Sequence, residues 1–207
     1  SHFEGCTPWG RADIRLSLLG RFNVYTALAA MAAAGYLGIE PGAMAEVLSK
    51  MHCVPGRVEE IANERGFQVF VDYAHTDDAL DNVLQTLREI TRERLIVVFG
   101  CGGNRDRSKR AMMGAVAARR ADYAIITSDN PRKEPPQEII AQIQYGFGTN
   151  RNYEVAEDRA LAIRKAIELA RKGDVVLIAG KGHERHQEFA NTIIPFDDRQ
   201  VVKELLQ

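Results

Sequence analysis

The chain has 207 residues, 45% hydrophobic and 27% charged, ordinary values for a folded protein that set aside disordered, collagen-like and membrane classes. Lys and Arg total 27 against 28 Asp and Glu, so the global charge lacks the footprint that nucleic acid or anionic lipid selects, and any cationic function is local. The three cysteines, Cys6, Cys53 and Cys101, stand far apart without CxxC spacing, which argues against a disulfide framework or structural zinc and for a reducing, cytoplasmic setting. No apolar run approaches the roughly 20 residues that cross a bilayer, and the N-terminus lacks a signal-peptide pattern. Ser1-His2 leads directly toward Trp9-Gly10 without a start signal, so a fragment is expected, monomeric and without nucleic-acid or membrane partners.

From Gly20 to Leu37 the alanine-rich stretch GRFNVYTALAAMAAAGYL predicts a mostly buried helix. Gly38, Pro41 and Gly42 punctuate it, and a shorter helix over Ala43 to Lys50 precedes the Pro55-Gly56 turn. A domain boundary is expected there, with residues 1–55 as the tail of one domain and 56–207 as another. Beyond it, strands and helices alternate. Gln68 to Ala74 and Arg94 to Gly100 are short runs rich in Val, Ile and Phe that read as buried strands. Between them Leu80, Val83, Leu84, Leu87 and Ile90 recur at helical spacing. Further on come a helix over Ser108 to Arg120, a strand over Tyr123 to Thr127, a helix from Pro136 to Tyr145 and a short strand near Glu154. A helix over Asp158 to Lys172, expected to bury Ala160, Ile163, Ile167 and Ala170, leads into a strand over Asp174 to Gly180. This βαβ series predicts a Rossmann-like α/β fold, a mostly parallel sheet with helices on both faces, preceded by a helical tail. Ligands gather outside the carboxyl ends of such strands, which singles out four polar loops.

In GCGGNRDRSKR (Gly100 to Arg110) three glycines between a strand and a helix can turn backbone N–H groups toward an anion, with Arg105, Arg107, Lys109 and Arg110 adding charge; a tight turn with a solvated basic helix start reads equally well. It is neither a Walker loop nor a full GxGxxG. In DNPR, Pro131 fixes the backbone after Asn130 and Arg132 can grip a carboxylate with two N–H groups, although composition alone favours an ordinary Asp-Asn-Pro turn. In GKGHE, Gly180 and Gly182 permit close backbone approach and Glu184 can pair with an ammonium group; His183 and His186 alone are a weak metal signal, and no metal site is expected. In DYAHTDD, Asp72 can accept bonds from a ribose and His75 can meet a base, while Thr76 to Asp78 can cap the next helix.

In this order TPWG, GRFN, PGR, DYAHT, GCGGNRDRSKR, DNPR and GKGHE resemble the Mur ligase family over nearly the whole chain, in its diaminopimelate-adding branch. The resemblance implies that residues 1–55 are the C-terminal tail of a central ATP-binding domain and that residues 56–207 form a C-terminal Rossmann-like, amino-acid-binding domain. It implies an ATP- and Mg²⁺-dependent amide ligase in peptidoglycan synthesis, joining meso-diaminopimelate to UDP-N-acetylmuramoyl-L-alanyl-D-glutamate through an acyl phosphate. On this pattern Asn23 and His75 lie near the nucleotide base, Arg57 reaches the phosphates and Asp72 holds the ribose. Arg105, Asp129, Asn130, Pro131, Arg132, Gly180 and Glu184 hold meso-diaminopimelate, whose distal carboxylate and ammonium suit the two arginines and the glutamate. Lysine-adding relatives lack the arginine of DNPR, so an Arg132 left without a carboxylate is expected to disfavour lysine. Two departures fall on the ATP side: Thr26 stands where the family usually has a second asparagine, and Asp77 where it has a proline. No GK[ST] phosphate loop is present, so no catalytic residue is assigned and the chain alone is expected not to turn over. The rival reading is a non-catalytic nucleotide-binding module with the same βαβ pattern, which gives no reason for charged groups on three strand-end loops. A NAD-dependent oxidoreductase would want the missing GxGxxG.

Overall fold

The computed structural model describes residues 1–207, which divide into two compact units, Ser1–Val54 and Pro55–Gln207. The first unit opens with an antiparallel hairpin, β1 (His2–Thr7) and β2 (Gly10–Arg15), followed by α1 (Arg21–Tyr36) and α2 (Pro41–Ser49). The sequence reading missed the hairpin and described this region as helical. Its strands carry charged residues at nearly every second position, so only Gly5 and Ile14 are buried among them and no apolar run announces a strand. Ile14 and Leu16 pack with Ala27, Met31, Met44 and Leu48 to form a small core. The expectation that α1 is mostly buried is also corrected: Asn23, Ala27, Met31 and Gly35 form one buried row, while Tyr25 and Tyr36 are exposed. Alanines all round this helix leave no broad apolar stripe to bury.

The second unit is built on a six-stranded sheet. Its strands are β3 (Glu59–Glu60), β4 (Gln68–Asp72), β5 (Leu95–Phe99), β6 (Tyr123–Ile126), β7 (Tyr153–Val155) and β8 (Val175–Ala179), in the spatial order β3-β4-β8-β5-β6-β7. Only the β3 and β4 pairing is antiparallel. The crossover helices are α3 (Asp77–Arg88), α4 (Ser108–Arg120), α5 (Pro136–Tyr145) and α6 (Arg159–Leu169). Every residue of β5 and β8 is buried, as strands covered on both faces require. Alternate residues, Val69, Val71, Ile96, Val98, Ile125, Val176 and Ile178, point toward α6 and the C-terminal helix α7 (Asp198–Leu206). The remaining face of the sheet meets α3, α4 and α5. Helix starts are capped locally, by Thr76 for α3 and Asp158 for α6, each accepting a backbone N–H.

In α6 the buried apolar residues are Ala162, Ile163, Ala166 and Ile167, whereas Ala160 and Ala170, which the periodicity selected, are only half-buried. Shifting the stripe by one residue keeps both isoleucines inward, and alanines do not discriminate between the two choices. A second hairpin, β9 (His186–Phe189) with β10 (Thr192–Pro195), and α7 complete the unit; neither stood out in the sequence, because the hairpin is short and largely exposed.

Candidate functional site

Four neighbouring parallel strands, β4, β8, β5 and β6, end at the same edge of the sheet, and from that edge rise the four loops named from sequence. DYAHT follows β4, GKGHE follows β8, GCGGNRDR follows β5 and SDNPR follows β6.

On the β4 side the buried Asp72 carboxylate accepts the backbone N–H of Val58 through Oδ2 and that of Ala74 through Oδ1, both at 2.7 Å. Burial pushes this carboxyl above its usual range, against the pull of the two N–H groups and the Arg57 charge. Asp72 thereby ties the Pro55-Gly56-Arg57 turn to the end of β4. That turn also packs on the β8 loop, where a Cβ at Gly56 would stand 2.2 Å from the His183 nitrogen. Arg57 lies over the Tyr73 ring, 4.6 Å from its centroid. The same ring has His75 on one side at 4.6 Å and His183 at 5.3 Å. One exposed cation and three rings therefore share a surface suited to an aromatic base and a phosphate. Asn23 belongs to the first unit, buried, with its side-chain amide donating to the Leu19 carbonyl at 2.6 Å.

On the β5 and β6 side the loops are wired to one another. A Cβ at Gly103 would lie 1.8 Å from the Pro131 carbonyl oxygen, and the Gly103 N–H donates to the Asn130 carbonyl at 2.9 Å. Asn130 is buried; its Oδ1 accepts Lys181 Nζ at 2.9 Å and the Glu188 N–H at 3.1 Å, while its Nδ2 donates to Glu184 Oε2 at 2.9 Å. Asp129 lies alongside Gly180, where a Cβ would stand 2.8 Å from Asp129 Oδ2, and the positive φ of Gly180, 115°, is one that side chains rarely adopt. Arg132 has a φ of 52°, pairs through Nε with Glu188 Oε2 at 2.7 Å and donates Nη1 to the Gly103 carbonyl at 3.0 Å. Arg105 is exposed and bonds only the neighbouring Asn104 carbonyl, at 3.3 Å.

The structure thus brings Asp129, Asn130, Pro131, Arg132, Gly180 and Glu184 into one hydrogen-bonded cluster with Gly103 of the loop that carries Arg105. Arg57, Asp72 and His75 are gathered around Tyr73. Sequence reasoning missed Lys181, whose side chain is 0% exposed and whose ammonium bridges Asn130 to Glu184 Oε2 at 2.8 Å. Burial pushes the Glu184 carboxyl up, yet the hydrogen bond and charge of Lys181 outweigh it and hold Glu184 below its usual range. It missed Glu188 as well, and this corrects the energetic argument for Arg132, which already has a carboxylate partner within the chain. Glu134 is the third omission. It clamps fully buried Arg110 with both carboxylate oxygens at 3.0 Å and accepts the Asn104 N–H, so it fixes the glycine loop. Arg110 and the Asn104 N–H together lower the Glu134 carboxyl to about 2, against the opposing effect of burial. Lysine between two glycines and glutamate in a hairpin carry no spacing signal; only the loops meeting in space reveal them. Cys101 is buried and its thiol pushed up to about 12 by that burial, which makes it inert as a nucleophile.

Residues 56–182 match the family described as Mur ligase, glutamate ligase domain. The chain is 50% identical over 196 residues to the UDP-N-acetylmuramoyl-L-alanyl-D-glutamate--2,6-diaminopimelate ligase of Syntrophomonas wolfei, covering 94% of this chain and 40% of that protein. It is 48% identical over 202 residues to the ligase of the same name from Geobacillus kaustophilus, covering 97% of this chain and 41% of that one. A solved structure of a UDP-N-acetylmuramoyl-L-alanyl-D-glutamate--2,6-diaminopimelate ligase superposes with a TM-score of 0.73 at 39% identity, covering 99% of this chain and 42% of that chain. The chain therefore spans about two fifths of the length of these relatives. Its four strand-end loops lie within the matched domain or, for the last residues of the β8 loop, directly after it, and on this evidence the chain belongs to the Mur ligase family.

Proposed function

We propose that this chain supplies the C-terminal part of an ATP-dependent ligase that joins meso-diaminopimelate to UDP-N-acetylmuramoyl-L-alanyl-D-glutamate, in the cytoplasm, for peptidoglycan synthesis. The observation that carries the reading is the meeting of three loops from separate strands in one charged cluster, Asn130 with Lys181 and Glu184, and Arg132 with Gly103. A plain nucleotide-binding sheet has no use for it. The names of the relatives support the reading through proteins of greater length.

In the proposed reaction ATP transfers its γ-phosphoryl group to the D-glutamyl side-chain carboxylate, and ADP departs. The amine of diaminopimelate attacks the acyl carbon, the C–N bond forms as the C–O bond to phosphate breaks, and the amine loses a proton. This chain's residues would bind and orient rather than perform bond chemistry. Arg132 and Arg105 take the distal carboxylate, and the Asn130 amide supplies a directional bond. Glu184 Oε1, the oxygen not occupied by Lys181 and Asn130, and Asp129 beside Gly180 accept the distal ammonium. Arg57, Asp72 and His75 are the ATP contacts proposed on the second unit, where Tyr73 and His183 extend the aromatic surface; Asn23 is proposed as an ATP contact from the family resemblance alone. No group of three or more His, Cys, Asp or Glu side chains suited to a metal is gathered in the chain. No step is assigned to Mg²⁺ through this chain's residues.

The test is phosphate release by the complete ligase carrying this segment, supplied with ATP, Mg²⁺ and the UDP-linked dipeptide, comparing meso-diaminopimelate with L-lysine. Strong preference for diaminopimelate is the expected result. Preference for lysine would remove the assigned amino acid, and no turnover with either would leave a non-catalytic nucleotide-binding module.

A further inference from the structure

The Arg132 side chain is held differently from the other charged groups of the cluster. Hairpin strand β9 is laced to the DNPR loop: the Arg132 N–H donates to the Glu188 carbonyl at 3.0 Å, the Glu188 N–H to Asn130 Oδ1 at 3.1 Å and Gln187 Nε2 to the Asp129 carbonyl at 2.9 Å. These bonds hold the backbone whatever side chain stands at 188. The Glu188 carboxylate therefore adds something separate. It sits 2.7 Å from Arg132 Nε, with the two side chains 20% and 36% exposed, so a ligand has access to both. Arg132 Nη1 is engaged by the Gly103 carbonyl at 3.0 Å, and Nη2 makes no hydrogen bond to the protein. Around the cluster the cations Arg105, Arg132 and Lys181 meet the anions Asp129, Glu184 and Glu188, and the buried Arg159–Asp198 pair near Asp129 and Glu184 adds no net charge. Removing the Glu188 charge leaves it net cationic.

We infer that Glu188 is a specificity-determining residue, an internal carboxylate that competes with the distal carboxylate of the amino acid for Arg132. This rests on the amino-acid site proposed above. With Glu188 in place Arg132 is compensated before any ligand arrives, so a diamino acid with a single carboxylate leaves no orphaned cation. A dicarboxylic diamino acid gains only the difference between its own carboxylate and that of Glu188. Glu188 thereby limits how far the site separates the two classes. The opposite role, in which the carboxylate only aims the guanidinium, predicts that its loss weakens dicarboxylate binding.

Glu188→Gln and Glu188→Ala both preserve the backbone bonds, and the position is partly exposed, so both variants retain the fold; amide NMR spectra of residues in β4 to β8 check this. Titration of the 207-residue chain with meso-diaminopimelate and with L-lysine, followed by NMR at low ionic strength, reads the discrimination directly. Loss of a partly exposed ion pair converts to a gain of about fivefold in the ratio of the two Kd values, with meso-diaminopimelate tightening and lysine not. Both variants must move the ratio upward. A ratio that is unchanged or lowered in either one, while the unaltered chain still binds meso-diaminopimelate, overturns the role of Glu188 alone. Absence of diaminopimelate binding by the unaltered chain overturns the amino-acid site and this inference with it.

Discussion

Arg132 and Glu134 stand two residues apart and are paired in opposite senses. Arg132 meets a half-exposed glutamate, leaving part of its fork open, while Glu134 is enclosed by the buried guanidinium of Arg110, the exposed Arg107 and a backbone N–H. The first arrangement suits exchange with a ligand and the second suits a permanent clamp. Replacing Arg132 with Ala in the complete ligase is therefore expected to raise the KM for meso-diaminopimelate by about 10- to 100-fold, with the KM for ATP within about twofold of its original value. Steady-state kinetics check this, and equal losses for both substrates would count against the assignment. For Glu134 the sign follows from its depressed titration, from the ordinary 4.5 to about 2. The stability it contributes is complete above pH 4.5 and is lost as the pH falls toward 2. In Glu134→Gln the fall in thermal midpoint across that interval is expected to be shallower than in the unaltered chain, measured by circular dichroism at matched ionic strength. DNPR and GKGHE were legible as candidate binding residues because arginine, asparagine and glutamate carry obvious chemistry. Lys181 and Glu188 were not, because a lone lysine or glutamate in a loop reads as solvated until its burial and partners are known.

At the scale of elements, β4, β5, β6, β8 and α3 to α6 follow the apolar pattern to within a few residues, since each buries a face whose period the sequence records. The elements that escaped are both hairpins, the two-residue β3 and α7: the hairpin strands and β3 are short and mostly unburied, so they carry no apolar run, and α7 depends on a partner far along the chain. α7 is pinned to α6 by Asp198, which bonds Arg159 at 2.8 and 2.7 Å, with both side chains 0% exposed. Arg159 also donates to the Ala179 carbonyl at 3.0 Å, directly before Gly180, so this pair supports the loop that carries Lys181 and Glu184. Its Nη1 is buried without a partner, so desolvation is only partly repaid by the pairing. Asp198→Asn is expected to destabilise the chain by about 3–5 kcal/mol, because it strips the buried guanidinium of its paired carboxylate. The double variant Arg159→Met with Asp198→Leu is expected to recover most of that loss. Urea denaturation of the three proteins separates the two outcomes.

At the scale of the whole molecule, the two units have cores of different size. Six buried apolar residues anchor Ser1–Val54, whereas one face of the second sheet alone buries fifteen. A small core opens more readily, so brief trypsin digestion is expected to cut at exposed Lys50 and leave a resistant product beginning at Met51, identified by mass spectrometry. Equal survival of both units would contradict this ordering. By itself the sequence determined the class of the fold and the four loops that carry chemistry. A buried parallel strand must be an apolar run, a crossover helix must carry a stripe, and the polar residues between them have nowhere to lie but the strand ends. Tertiary structure decided the rest. The order β4-β8-β5-β6 sets the parallel strand that comes last in sequence between the two that come first, and only that order brings GKGHE against both DNPR and the Pro55-Gly56-Arg57 turn. Charge pairing across such distances leaves no local period in the sequence, since Arg132 and Glu188, or Asn130 and Lys181, are neighbours solely through the sheet that lies beneath them.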